Sequence, residues 1–152
     1  MFDTFILSDG MIGQSLVDEF KAKLNNSFGS LPGSISKGAG IFAQVAKTGG
    51  IDASGPYTGE SYDAAALIVL AMQAGGSADR ASIAKNIMAV ANAPGEKIYP
   101  GQLKKGLKLL DKGKQINYMG ATRVYFNSVG DTKGSFLEKE ISGGKISTVR
   151  QW

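Results

Sequence analysis

A chain of 152 residues, 43% of them apolar, is long enough for one packed domain and too apolar for a disordered segment. It holds no histidine and no cysteine, which excludes zinc sites built on those ligands, Cys or His nucleophile–base pairs, iron–sulfur clusters and disulfides. The net charge of +4 is a mild excess, and the lysines are not interleaved with the base-stacking aromatics of a nucleic-acid surface, so no nucleic-acid partner is expected.

The first residues, Met1-Phe2-Asp3-Thr4-Phe5, lack a basic start and run into Asp9-Gly10 too soon for a secretory signal. Taken literally, this predicts a cytoplasmic chain; equally, it predicts one that begins partway through a larger gene product. Residues 2–8 are aromatic and branched and predict a buried strand ending at Asp9-Gly10. Ile12, Leu16, Val17, Phe20 and Leu24 recur at helical spacing and predict a helix over 11–24. Strand, short turn and helix make half of a βαβ unit, and ligands of open α/β sheets gather at the carboxyl ends of strands, where Asp9 falls.

Residues 25–36 are rich in Gly, Ser and Asn and read as a connector with a short strand at 27–31. A helix follows over 38–48, stopped by Gly49-Gly50. The longest apolar run, Ala64 to Met72, lies in a predicted helix over 58–76, capped by Thr58 or Ser61 and ended by Gly75-Gly76. A helix apolar on nearly every side is expected to be buried against a sheet, with the preceding Gly55-Pro56-Tyr57 loop facing a ligand cleft. Its nine-residue apolar run is far too short to span a bilayer.

Ser77 or Asp79 caps the next predicted helix, over 79–93, which Pro94-Gly95 ends. Tyr99-Pro100-Gly101 starts another, with Leu103, Leu107 and Leu110 facing inward and Gly113 closing it. Lys104, Lys108 and Lys112 share its opposite face, together with Lys105 and Lys114 nearby. That face reads as a solvated surface or as a patch for phosphate or anionic lipid. Residues 121–127, 134–141 and 145–150 predict three strands of an antiparallel meander. The order β-α-β, four helices, three strands is lopsided, and suggests that part of the sheet lies outside this chain.

Tyr118, Gly120 and Ala121, followed by Val124, Phe126, Asn127, Gly130 and Asp131, resemble the C-terminal signature of the type I periplasmic binding proteins of the leucine–isoleucine–valine branch. Gly55-Pro56-Tyr57, Ser61-Tyr62-Asp63-Ala64-Ala65, the Ala-Gly-Gly-Ser stop at 74–77, Pro94-Gly95 and Pro100-Gly101 extend the resemblance over essentially the whole chain. Arg123 and Asn127 depart from it, standing where the signature has glycine and aspartate.

The resemblance implies a partial α/β fold, the C-terminal portion of a two-lobed protein that serves an ABC importer. Residues 1–31 would belong to the second lobe, 32–127 would return to the first, and 128–152 would cross back. It further implies a small, branched-chain-like amino acid held between the lobes, with Asp9 and its neighbour Gly10 at the α-ammonium and Tyr57 covering the side chain. A carboxylate is a sound partner for an ammonium group. An ABC permease would be the partner and the periplasm the location of the parent protein. A ligand-sensing module of the same fold is the alternative.

By themselves Asp9-Gly10 reads as a turn and Tyr57 as a residue stapling the helix behind it. No carboxylate spacing suggests a metal or acid–base pair, and no Gly-x-Ser-x-Gly, P-loop or GxGxxG is present, so neither enzyme nor cofactor is expected. A fragment missing part of its sheet is expected to dimerise, swap elements or meet a partner through open edges.

Overall fold

The computed structural model describes residues 2–92 and 94–152. Met1, where the first predicted segment begins, and Ala93, where the fourth predicted helix ends, lie outside the described residues. Two compact units divide the chain: Met1–Ile35 with Ser54–Tyr57 and Gly134–Trp152, and Ser36–Ala53 with Thr58–Lys133.

The first unit is built on a four-stranded sheet. Strands β1 (Ile6–Leu7), β2 (Ser27–Pro32), β5 (Phe136–Ser142) and β6 (Lys145–Gln151) lie side by side in that order. β1 and β2 are parallel and joined through helix α1 (Gln14–Phe20), which completes the expected βαβ unit. β2 runs antiparallel to β5, and β5 to β6. The C-terminal strands therefore form a hairpin laddered onto β2 rather than a three-stranded meander. Gly143 and Gly144 both take positive φ (57° and 74°), as a two-residue hairpin turn demands. The Asn25 side chain accepts a 3.0 Å bond from Gly143 N–H and ties this turn down. Leu7, Ile12, Val17, Leu24 and Ile141 form the core of the unit.

Two predicted elements of this unit are shorter than expected. Only Ile6 and Leu7 pair as a strand, within the predicted 2–8. The helix predicted over 11–24 is a 3₁₀ turn (Asp9–Met11), then α1, then a second 3₁₀ turn (Lys21–Leu24). The break falls at Lys21, which has φ +50°, a conformation that stops an α-helix. With the chain broken there, Leu24 is in the core while Phe20 is 42% exposed.

The second unit is mainly helical. Helices α2 (Lys37–Thr48), α3 (Thr58–Gly75), α4 (Arg80–Asn92) and α5 (Leu103–Asp111) are accompanied by two short parallel strands, β3 (Glu96–Ile98) and β4 (Ile116–Tyr118). Helix α2 starts where Ser36 Oγ accepts from Ala39 N–H, and α4 where the Asp79 carboxylate accepts from Ser82 N–H. Leu67, Leu70, Ala71, Val90, Ile98, Ile116 and Tyr118 form one core cluster, with Leu103, Leu107 and Leu110 of α5 packed against it as their spacing predicts. Phe42, Ala46 and Ala121 form a smaller one.

Helix α3 is not buried all round. Asp63, Ala66, Leu67, Leu70 and Ala71 face inward, while Ala64, Ala65, Ile68 and Val69 are exposed. Its main neighbours are α4 and α5, with the short strands contributing Ile98 and Ile116 to the same core.

Residues 121–127 do not form the predicted strand. Their backbone groups are taken by side chains instead of a ladder. Asp63 accepts from the N–H groups of Ala121 and Thr122, and the Asn92 amide both accepts from Phe126 N–H and donates to its carbonyl. Arg123 takes φ +57°, which breaks an extended run. Only an isolated bridge joins Phe126 to Thr132. Strand β3 was not legible in the sequence. It occupies three residues between Pro94-Gly95 and Pro100.

Candidate functional site

Asp9 stands just past the carboxyl end of β1. Met11 N–H donates to the Ser8 carbonyl and Ile12 N–H to the Asp9 carbonyl (2.9 and 3.2 Å), and Ile12 is buried, so the turn is anchored from behind. The carboxylate is left at the surface. Its Oδ1 accepts the N–H of Gly10 at 2.7 Å, and its Oδ2 accepts the hydroxyl of Tyr57. The Tyr57 hydroxyl first, and the Gly10 N–H second, hold the carboxyl below the ordinary carboxylate range.

Tyr57 lies in the four-residue stretch Ser54–Tyr57 that belongs to the same unit as Asp9. Its φ of +62° is one that a bulky side chain rarely adopts, and such backbone is kept where surrounding contacts over-determine it. The residue is 42% exposed. Thus Asp9, Gly10 and Tyr57, the three residues singled out in the sequence, meet at one place. They present an anionic group, an aromatic face and a fixed backbone N–H. A carboxylate beside an aromatic face is chemically suited to a cation that carries an apolar group.

A second carboxylate, in the helical unit, takes a role the sequence did not suggest. Asp63 lies toward the N-terminal end of α3, where the helix dipole favours a carboxylate. It is 1% exposed and accepts from Tyr118 Oη, Ala121 N–H, Thr122 N–H and Thr122 Oγ1 at 2.7–2.8 Å. Gly120, at φ +55°, passes so close that a Cβ there would lie 2.5 Å from Oδ2. Burial first, and then the charge of Asp63, push the Tyr118 phenol far above its ordinary range. Tyr118, Gly120 and Ala121, which carried much of the family resemblance, are therefore the cradle of a buried carboxylate. The available signal was Asp63 at the head of the apolar run 64–72. Among the described residues no group of three or more carboxylates is placed to hold a metal.

No protein-family model matches the chain. The chemotactic signal transduction system substrate-binding protein BasB of Halobacterium salinarum is 37% identical over 94 residues, which span 61% of this chain and 23% of BasB. The crystal structure of leucine binding protein LivK from Thermotoga maritima superposes on 97% of this chain and 37% of its own, with a TM-score of 0.67 and 17% identity. The branched-chain amino acid transporter substrate binding protein LivJ of Streptococcus pneumoniae, solved in complex with isoleucine, covers 96% of this chain and 35% of its own, with a TM-score of 0.59 and 16% identity.

The fold is that of a type I periplasmic binding protein, in part. As a partial type I fold, the chain spans little more than a third of either structure and under a quarter of BasB. BasB, LivK and LivJ are each named as binding proteins. No described helix is long and apolar enough to cross a membrane.

Proposed function

We propose that this chain is the C-terminal part of a two-lobed solute-binding protein in which Asp9 pairs with the ammonium group of a small, branched-chain-like amino acid. Tyr57 lies over the ligand's side chain, and the Gly10 N–H keeps the carboxylate aimed. The observation that carries this reading is the meeting of Asp9 with Tyr57, 48 residues apart in sequence. The naming of LivK and LivJ as leucine and branched-chain amino acid binding proteins supports the ligand class. In this reading residues 1–31 and 128–152 belong in the main to one lobe and 32–127 in the main to the other, with Ser54–Tyr57 grouped with Asp9 in the first. The protein makes and breaks no bond and needs no cofactor. The parent protein works in the periplasm and hands its solute to an ABC permease by closing about the ligand.

A second reading has the same site report to a signalling partner instead of a permease. The 37% identity to a chemotactic substrate-binding protein favours it. Co-purification with a permease or with a membrane-bound transducer separates the two.

The chain alone supplies one wall of such a site, so its affinity for an amino acid is weak. Titration of ¹⁵N-labelled protein with leucine and valine tests the site directly. The expected result is saturable shifts centred on Gly10 and the Tyr57 loop, lost in Asp9→Asn. Shifts elsewhere, or shifts that survive Asp9→Asn, overturn the assignment. Exposed apolar groups on edge strand β1 (Ile6, 78% exposed) and on α3 (Ile68, Val69) support self-association as a homodimer or a swapped oligomer. Light scattering should show a mass above that of one chain that falls on dilution; a constant monomer mass contradicts this.

A further inference from the structure

Lysines 104, 105, 108, 112 and 114 line a groove of about 480 Å³ along the outer face of α5. Leu103, Leu107 and Leu110 of that helix pack the other way, against the core cluster, while Leu109 touches that cluster and also lines the groove. All five lysines are exposed, and no carboxylate is among the lining residues. Glu96 offsets part of this charge, pairing with Lys105 at 2.5 Å and acting also on Lys114, and Asp111 lies on the same helix outside the groove. Residues 96–114 hold six lysines and two carboxylates, a net of +4, which equals the net charge of the whole chain. The other eleven cations and eleven carboxylates cancel. What looks in composition like a mild, scattered excess is therefore one basic face on an otherwise neutral molecule.

The kind of cation narrows the partner. Every lining cation is a lysine, a compact ammonium on a flexible stem without the planar fork with which arginine grips a carboxylate or phosphate. No aromatic lines the groove to stack a base, and the one tyrosine in the segment, Tyr99, lies under the ammonium of Lys37, 5.0 Å away. Such a surface reads charge density rather than shape. We propose that the α5 face is a docking surface for a membrane rich in anionic phospholipid, held by diffuse attraction between these lysines and the headgroups. Exposed lysines near such a surface add roughly fivefold each to binding, and the attraction fades as salt shortens the screening length. This proposal is independent of the amino-acid site.

Co-sedimentation of the full chain with lipid vesicles tests it. At low salt the protein should pellet with vesicles containing about 30% phosphatidylglycerol, remain in solution with pure phosphatidylcholine, and be released by about 0.5 M salt. Lys104→Glu/Lys108→Glu/Lys112→Glu should weaken binding on the order of 100-fold, with its circular dichroism and urea midpoint unchanged. Lys85→Glu/Lys133→Glu/Lys145→Glu alters exposed lysines elsewhere by the same net charge and should change binding by less than about fivefold. Equal loss in the two triple variants means that net charge acts, not the groove, and overturns the proposal. So does an absence of binding to the anionic vesicles. Binding of single-stranded oligonucleotide or inorganic polyphosphate by a wild type that ignores the vesicles assigns the groove to another class of partner.

Discussion

Asp9 and Asp63 are both carboxylates bonded to a tyrosine hydroxyl, and they do opposite things. Asp63 is enclosed and accepts four hydrogen bonds, about as many as a carboxylate can take. It organises the chain around it and has nothing left to offer a ligand. Asp9 lies at the surface and accepts two, from Gly10 and Tyr57. The tyrosine that touches it sits on backbone of rarely adopted geometry. A saturated buried carboxylate is a structural keystone, whereas a half-satisfied exposed one is a candidate for recognition.

Removing the keystone should cost the most. Asp63→Ala strands the N–H groups of Ala121 and Thr122 and the hydroxyl of Tyr118, so a loss of about 3 kcal/mol or more is expected in urea unfolding. Gly120→Ala attacks the same centre from the backbone, through a disfavoured φ and a Cβ pressed on the carboxylate, and should cost about 1–3 kcal/mol. If either variant unfolds at the wild-type midpoint, the contrast between the two aspartates fails.

Tyr118→Phe leaves Asp63 three of its four bonds and should cost about 1–2 kcal/mol. The folded-state pKa of Tyr118 is raised, so its contribution is intact below the ordinary phenol value and is lost as pH rises above it. In an alkaline titration followed by tyrosine absorbance, one of the five tyrosines should therefore resist ionisation until the fold opens. Tyr118→Phe should abolish that late step.

The smallest effects belong to Asp9. Its folded-state pKa is depressed, so the contribution of the Tyr57 contact is present above the ordinary aspartate value and is lost as pH falls through the depressed one. Tyr57→Phe should move the Asp9 carboxyl titration, followed by NMR, upward toward the ordinary value while leaving the urea midpoint where it was. A large shift in that midpoint would make Asp9 a second keystone and remove its candidacy for a ligand.

The sequence disclosed local features better than distant ones. Helices α2 and α4 were legible because Gly49-Gly50 stops the one, Asp79 caps the other, and their apolar residues recur at helical spacing. The hairpin was legible from Gly143-Gly144 between two alternating runs. Residues 121–127 misled because their strand-like side chains are outweighed by Asp63 and Asn92, partners 34–59 positions away that no local pattern reveals. The all-apolar look of 64–72 gave no hint of which face of α3 lies outward, since composition there does not alternate with burial. Of the candidate site, the three residues were named from the resemblance. Their meeting depends on a loop conformation at Tyr57 that side-chain type does not dictate.

The antiparallel ladder between residues 27–32 and 136–142 has a consequence for the order of assembly. During synthesis β2 must wait for more than a hundred further residues before its partner exists. The intervening helices can settle as they appear, because their contacts close over shorter spans. The sheet is thus the last part to lock, and until the ribosome delivers the hairpin, the turn bearing Asp9 rests on a two-stranded stub.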